Sequence, residues 1–193
     1  MNILPEIRIK YGSFLDEVFK SALTLHNYPV PDETKNKIFK FIEAWQAKEE
    51  ITLRSICNFL QLDFRQNIID VYIVGRGKTF SDPMVISGHF DPDEFTDILT
   101  HELIHRLLTD NIQGRKNKLL EYLKQNFYTE ERLTRNHILV HAISKFVYLE
   151  ILKEPARLNR DIQNCADNSA YKRSWEIVEQ KGYRQLISEF MNS

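Results

Sequence analysis

The chain has 193 residues, a hydrophobic content of 42%, and 26 basic against 27 acidic side chains. This length allows one domain with a sizeable core, and the near-neutral charge gives no electrostatic reason to expect nucleic acid or an anionic membrane as the main partner. No apolar run approaches the roughly 20 residues of a membrane span. Cys57 and Cys165 are isolated, which excludes a zinc ribbon and argues against a disulfide. The first residues carry charges throughout, unlike a signal peptide, so we expect a cytoplasmic protein.

Residues 1–65 have the spacing of apolar side chains that is typical of helices. The apolar residues between Lys10 and Leu25 recur at helical intervals and predict a first helix over that range. Asp32 is placed to cap a second helix, and Thr52 is placed to cap a third. We therefore expect a helical N-terminal layer over residues 1–65.

The middle of the chain has a different pattern. Ile68–Val74 is rich in β-branched and apolar residues, which predicts a buried strand, and the sequence MVISG at Met84–Gly88 predicts a second short strand. The rest of the chain, residues 91–193, has helical patterning. The sequence thus predicts a single helix-dominated α+β domain over residues 1–193, with a small sheet at residues 66–90.

The helix after this sheet has a well-marked start. Asp91 is placed as its N-cap, Pro92 fits the first helical position and Glu94 the third, an arrangement that resembles a capping box. Apolar residues then occupy nearly the whole circumference of the helix as far as about Thr109. Such a helix is expected to be buried, so its polar side chains need partners.

This helix carries the sequence LTHELIH, in which His101 and His105 are four residues apart and Glu102 follows the first. Two histidines at this spacing lie on one face of a helix and can bind one metal ion. Glu102 points about 100° away from His101, because successive residues rotate by that angle around a helix. It is therefore near the ion without being a required ligand, and can take a proton from the water that zinc activates. The sequence predicts a Zn²⁺ site at this helix, with Glu102 as general base.

The motif HELIH, preceded by a short sheet, resembles the zincin metallopeptidases, and the resemblance covers about Ile68 to Thr109. It implies a zincin-like fold and a zinc-dependent hydrolase that cleaves a peptide or protein substrate. It also implies that MVISG is the edge strand of the sheet, with which the substrate main chain pairs. An ordinary hairpin strand is the alternative for this segment.

A catalytic zinc ion usually has three protein ligands and one open position. The metzincin pattern HExxHxxGxxH is not met, because Leu108 and Asn111 stand where its glycine and third histidine would be. The next candidates lie in a predicted long helix, Thr129–Glu150. There His137 and His141 are again four residues apart, among apolar neighbours that would bury them.

The sequence Asn136–His141 is similar in layout to the second metal helix of gluzincins of the thermolysin type, which reads NExxSD. The resemblance implies that His137 takes the ligand place and His141 the supporting place, although histidines replace both acids. We favour His137 over His141 as third ligand, and Glu131 is a weaker choice.

Zincins often use a further tyrosine or histidine to stabilise the oxyanion of the reaction. Tyr122, Tyr148 and Tyr171 are candidates among which the sequence does not choose, and His89 is expected to be a turn residue. The alternative function is a non-catalytic zinc-binding regulatory or interaction module, for which four protein ligands would be expected. A DNA-associated metalloprotease is disfavoured, because the chain has no zinc ribbon and no basic patch.

Overall fold

The computed structural model of the chain describes residues 4–23, 28–111 and 121–193. The described helices are α1 (Ser13–Leu23), α2 (Pro31–Gln46), α3 (Glu49–Leu60), α4 (Pro92–Asp110), α5 (121–127), α6 (Arg132–Phe146), α7 (Pro155–Asn164), α8 (Ser169–Lys181) and α9 (Tyr183–Asn192), with a π-helical segment at Val147–Ile151. The strands are β1 (Glu6–Tyr11), β2 (Ile68–Val74), β3 (Phe80–Ser81) and β4 (Met84–Ser87). Helices account for 67% of the structure and the strands form one mixed sheet, so the predicted α+β class is confirmed. None of the described helices has both the length and the apolar surface needed to cross a membrane.

The sheet begins earlier in the chain than the sequence analysis predicted. Strands β2 and β4 lie where they were expected, but β1 also belongs to the sheet and pairs in parallel with β2. The sequence of β1, EIRIKY, alternates polar and apolar residues, the period of a half-buried strand. Helix α1 therefore starts at Ser13 rather than near Lys10, and its predicted end at Leu25 lies outside the described residues.

The strand order is β1-β2-β4-β3, which places β4 inside the sheet. Strand β4 pairs in parallel with β2 on one side, and Met84 and Val85 pair with the antiparallel β3 on the other. The expectation that MVISG is the edge strand is therefore wrong for these two residues. The physical reason is the turn at Asp82–Pro83, which folds β3 back along β4 as a tight hairpin.

Two of the predicted helix caps are also wrong. Helix α2 begins at Pro31, so Asp32 lies in its first turn rather than before it, and α3 begins at Glu49, so Thr52 lies buried inside the helix. In both cases acidic residues occupy the first turn, where they interact favourably with the positive end of the helix dipole. Each helix thus starts one or more residues before the residue predicted to cap it.

The packing divides the chain into two compact units, Met1–Glu50 with Phe64–Arg106 and Ile51–Asp63 with Leu107–Ser193. The boundary falls within α4, after Arg106. The organisation as a single domain over residues 1–193 stays a prediction.

The first unit is built around the sheet. Helices α1 and α2 contact β1 and β2, and the ring of Phe41 on α2 stacks on Phe95 of α4 with 4.3 Å between centroids. Asp16 of α1 is buried and accepts hydrogen bonds from the hydroxyls of Tyr11 and Tyr28 and from the backbone N–H of Gly75, at 2.5–2.6 Å. These bonds attach α1 to the end of β2 and satisfy a carboxylate that would otherwise be costly to bury.

The second unit is built around α6, which packs on α8 and α9. The residues Ile138–Ser144 are all buried. The predicted long helix Thr129–Glu150 is present, but its α-helical part begins at Arg132 and continues after Phe146 as the π-helical segment. Helix α7 begins at Pro155, and Gly182, with a φ of 84°, separates α8 from α9.

Candidate metal centre

Helix α4 is positioned by its cap and by its burial. The N–H of Glu94 donates to Oδ1 of Asp91 at 2.8 Å, and the N–H of Asp91 donates to Oε2 of Glu94 at 3.3 Å. This reciprocal pair is the predicted capping box. Apolar side chains around the helix, among them Phe95, Leu99 and Leu103, are wholly buried, as the pattern predicted. The histidines and the glutamate of HELIH are therefore carried by a helix with a defined start and a packed surface.

The side chains of His101 and His105 converge. Their Nε2 atoms lie 3.2 Å apart, their ring centroids lie 4.8 Å apart, and both residues are partly exposed. Two imidazole ligands of a tetrahedral zinc ion, each at about 2.0–2.1 Å, place their nitrogens about 3.3 Å apart. The observed separation therefore matches the separation needed for two ligands of one zinc ion.

Glu102 lies between these histidines in sequence and is only partly accessible to solvent. Burial raises the pKa of its carboxyl group to about 7, because the charged form loses contact with water. A carboxyl group with a pKa near neutrality can both accept and return a proton at neutral pH, which is the task of a general base that later acts as an acid.

The second histidine pair, on α6, does not converge in the same way. Nδ1 of His137 donates to the backbone carbonyl of Leu133 at 2.8 Å, and burial lowers the pKa of this imidazole, which favours the neutral ring. In that neutral ring Nε2 carries the lone pair that a metal ion requires. His141 is wholly buried and stacks on Trp175, with 4.4 Å between ring centroids and 6° between planes.

The favoured third ligand, His137, lies on α6 in the second compact unit, whereas His101 and His105 lie on the part of α4 that belongs to the first. Each of these residues offers an imidazole nitrogen, a ligand that suits zinc. Glu131, the weaker choice, is exposed at the N-cap of α6. The ligand set stays a prediction.

The three candidate tyrosines have different surroundings. The hydroxyl of Tyr148 bonds to Asp161 at 3.3 Å, and the hydroxyl of Tyr122 bonds to Glu189 at 3.0 Å. The ring of Tyr171 instead lies against the imidazole of His137, with 4.3 Å between centroids. Tyr171 therefore directly contacts a proposed ligand.

His89 follows β4 as expected of a turn residue. Its Nδ1 lies 2.7 Å from the hydroxyl oxygen of Ser87, and its ring packs against Phe90 with 3.9 Å between centroids. These local contacts hold the segment that connects β4 to the cap of α4.

Arg106, which directly follows the motif, was not singled out by the sequence analysis. Its guanidinium is buried, pairs with the exposed carboxylate of Asp82 at 2.8 Å and donates to the carbonyl of Ser81 at 3.3 Å. These contacts attach the β3–β4 hairpin to α4. Its place among the apolar residues Leu103, Ile104, Leu107 and Leu108 was the signal that could have identified it, because a buried charge requires a partner.

Comparison of the chain with models of protein families, with curated proteins and with solved structures gave no match. The resemblance to zincins therefore rests on the HExxH motif and its context in the sequence.

Proposed function

We propose that the protein is a zinc-dependent hydrolase, and specifically a metallopeptidase. The observation that carries this proposal is the pair of Nε2 atoms of His101 and His105, 3.2 Å apart on one face of α4, with Glu102 directly following His101 on the same helix. The separation suits a zinc ion, and a carboxyl group at this position of the helix suits proton transfer.

His101, His105 and His137 would hold the ion. Zinc bound there supplies a Lewis acid that polarises a carbonyl group and lowers the pKa of water to about 7. The residues of the chain perform the remaining steps: Glu102 accepts a proton from the attacking water and returns it to the nitrogen of the departing amine. The histidines hold their nitrogens in place on packed helices, so little rearrangement is needed during the reaction.

The substrate class proposed is a peptide or protein, as the HExxH motif implies. A nucleic acid or membrane partner is not expected, since the chain has 26 basic and 27 acidic side chains. A cytoplasmic location stays a prediction from the sequence.

The test replaces Glu102 by glutamine and measures peptide cleavage together with bound zinc. We expect Glu102→Gln to lower kcat by about 10²–10⁴-fold, the usual contribution of a general base. Zinc should remain at the wild-type ratio, because Glu102 is not a proposed ligand. The assay is cleavage of a fluorogenic peptide library, with zinc measured by elemental analysis of the same samples.

The matched control is Glu94→Gln on the same helix, where glutamine can keep the capping-box hydrogen bond. This variant should retain wild-type cleavage and wild-type zinc. Full activity in Glu102→Gln would overturn the proposed mechanism. A wild-type protein that binds zinc but cleaves nothing above the level of Glu102→Gln would favour the alternative, a non-catalytic zinc-binding module.

A further inference from the structure

The proposed third ligand lies in a cluster of aromatic side chains on α6 and α8, which consists of His137, His141, Tyr171 and Trp175 and is called here the α6–α8 aromatic cluster. The ring of Tyr171 contacts both histidines, with centroids 4.3 Å from His137 and 6.1 Å from His141. Trp175 stacks on His141 from the same helix, α8. All four residues belong to the second compact unit.

Two of these contacts restrict the orientation of the His137 ring. The hydrogen bond from Nδ1 to the carbonyl of Leu133, at 2.8 Å, determines which nitrogen carries the hydrogen. The ring of Tyr171, tilted by 40° against the imidazole, restricts its rotation about the side-chain bonds. An imidazole held in this way presents Nε2 in one direction.

Tyr171 is itself held in place by its neighbours. The side-chain oxygen of Asn168 caps α8 and accepts hydrogen bonds from the backbone N–H groups of Ala170 and Tyr171, at 3.0 and 3.2 Å. Its ring is also perpendicular to that of the wholly buried His141, with 89° between planes and 6.1 Å between centroids. His141 is prevented from turning by its parallel stack on Trp175.

We propose that Tyr171, supported by the stacked pair His141 and Trp175, is a positioning residue that orients His137 for binding the metal ion. This proposal rests on the proposed function, in which His137 is the third zinc ligand. In this proposal the ring of Tyr171 carries the effect, because the contact with His137 is between the two rings, with 4.3 Å between centroids. An imidazole that is already oriented loses less conformational freedom on binding, which increases affinity for the metal.

The experiment compares two substitutions of Tyr171 by measuring zinc affinity in competition with a chromophoric chelator. We expect Tyr171→Leu to weaken zinc binding by about tenfold, within the range for residues that orient metal ligands. Tyr171→Phe keeps the ring and should bind zinc within about twofold of the wild-type protein. The absorption spectrum of the Co²⁺-loaded proteins gives a second measurement, and Tyr171→Leu should alter the intensity of its visible bands while Tyr171→Phe should not.

The matched control is Tyr183→Leu, which removes another partly exposed tyrosine near the start of a helix in the same unit. The hydroxyl of Tyr183 bonds to Glu150, outside the α6–α8 aromatic cluster. This control should leave zinc affinity unchanged, and it accounts for general loss of packing. If Tyr171→Leu does not fold, Tyr171→Met replaces it, because the flexible methionine side chain fills irregular space without fixing a neighbouring ring.

The proposal is overturned if Tyr171→Leu, or Tyr171→Met in its place, binds zinc as tightly as the wild-type protein. It is also overturned if Tyr171→Phe is weakened as much as Tyr171→Leu, since the hydroxyl would then carry the effect. His137→Phe separates this failure from a failure of the proposed function. If His137→Phe retains wild-type zinc affinity, the proposed ligand set is wrong. If His137→Phe loses zinc while the Tyr171 variants bind it as tightly as the wild-type protein, the ligand set stands and Tyr171 has no positioning role.

Discussion

The two histidine pairs of the chain have the same spacing in sequence and different geometries. In α4, the Nε2 atoms of His101 and His105 approach to 3.2 Å at a partly exposed surface. In α6, the ring centroids of His137 and His141 are 5.5 Å apart, and each ring has a different partner. The carbonyl of Leu133 accepts a hydrogen bond from His137, and Trp175 stacks on His141.

This comparison shows that a spacing of four residues does not by itself fix how two histidine rings are oriented toward each other. Helical geometry places both rings on one face in each case. The neighbours then decide the rotamers: in α4 the two rings turn toward each other, whereas in α6 the aromatic residues of α8 hold them apart. The first pair therefore has a nitrogen separation that suits two ligands of one zinc ion, whereas the two rings of the second pair have separate partners.

The largest expected effect tests whether His101 and His105 are equally important for binding zinc. We expect His101→Ala and His105→Ala each to weaken zinc binding by more than about 100-fold, beyond the range that supporting residues produce. Chelator competition and elemental analysis measure this loss, with His89→Ala as the control. A wild-type affinity in either α4 variant would show that the close approach of the two nitrogens has no role in metal binding.

The next effect tests whether His137 and His141 differ in their importance for binding zinc. We expect His137→Phe to weaken zinc binding about 100-fold or more, because it removes a ligand. His141→Phe keeps an aromatic ring against Trp175 and should bind zinc within about threefold of the wild-type protein. The larger ring in a wholly buried position should lower the free energy of unfolding by about 1–3 kcal/mol. Equal zinc affinities of the two variants in competition titrations would contradict this difference.

The smallest effect concerns the caps of the helices that hold the two sites. Asp91→Ala removes a 2.8 Å bond at the start of α4, and Asn168→Ala removes two bonds at the start of α8. Each should lower the free energy of unfolding by about 1 kcal/mol, measured by urea denaturation. Changes below about 0.3 kcal/mol would show that packing alone defines these helix starts.

Several features of the candidate site follow from short stretches of sequence. The capping box at Asp91 and Glu94 is a contact between residues three apart, and the burial of α4 follows from its apolar circumference. Such features depend on neighbours in the chain, so a local pattern predicts them. The two strands Ile68–Val74 and Met84–Ser87 were predictable for the same reason.

Other features depend on residues distant in sequence. The strand β1 has only six residues and lies next to a helix, so its alternating pattern was outweighed by the helical spacing that follows. The order of the sheet, which places β4 between β2 and β3, depends on a hairpin that the strand pattern does not specify. The sequence also could not choose among Tyr122, Tyr148 and Tyr171 as candidates for stabilising the oxyanion. Their surroundings depend on contact partners that lie 13 to 67 residues away in the chain.

The sequence by itself determined the helix that carries HELIH, its cap, and the presence of two histidine pairs on helix faces, because each depends on interactions within a few residues. Only the tertiary structure decided the rotamers of those histidines and the partners of Tyr171, Trp175 and Arg106. Ring orientation in a packed interior depends on which side chains from other elements occupy the adjacent space. For this reason LTHELIH predicts a metal site, while the choice between His137 and His141 depends on the packing of α6 against α8.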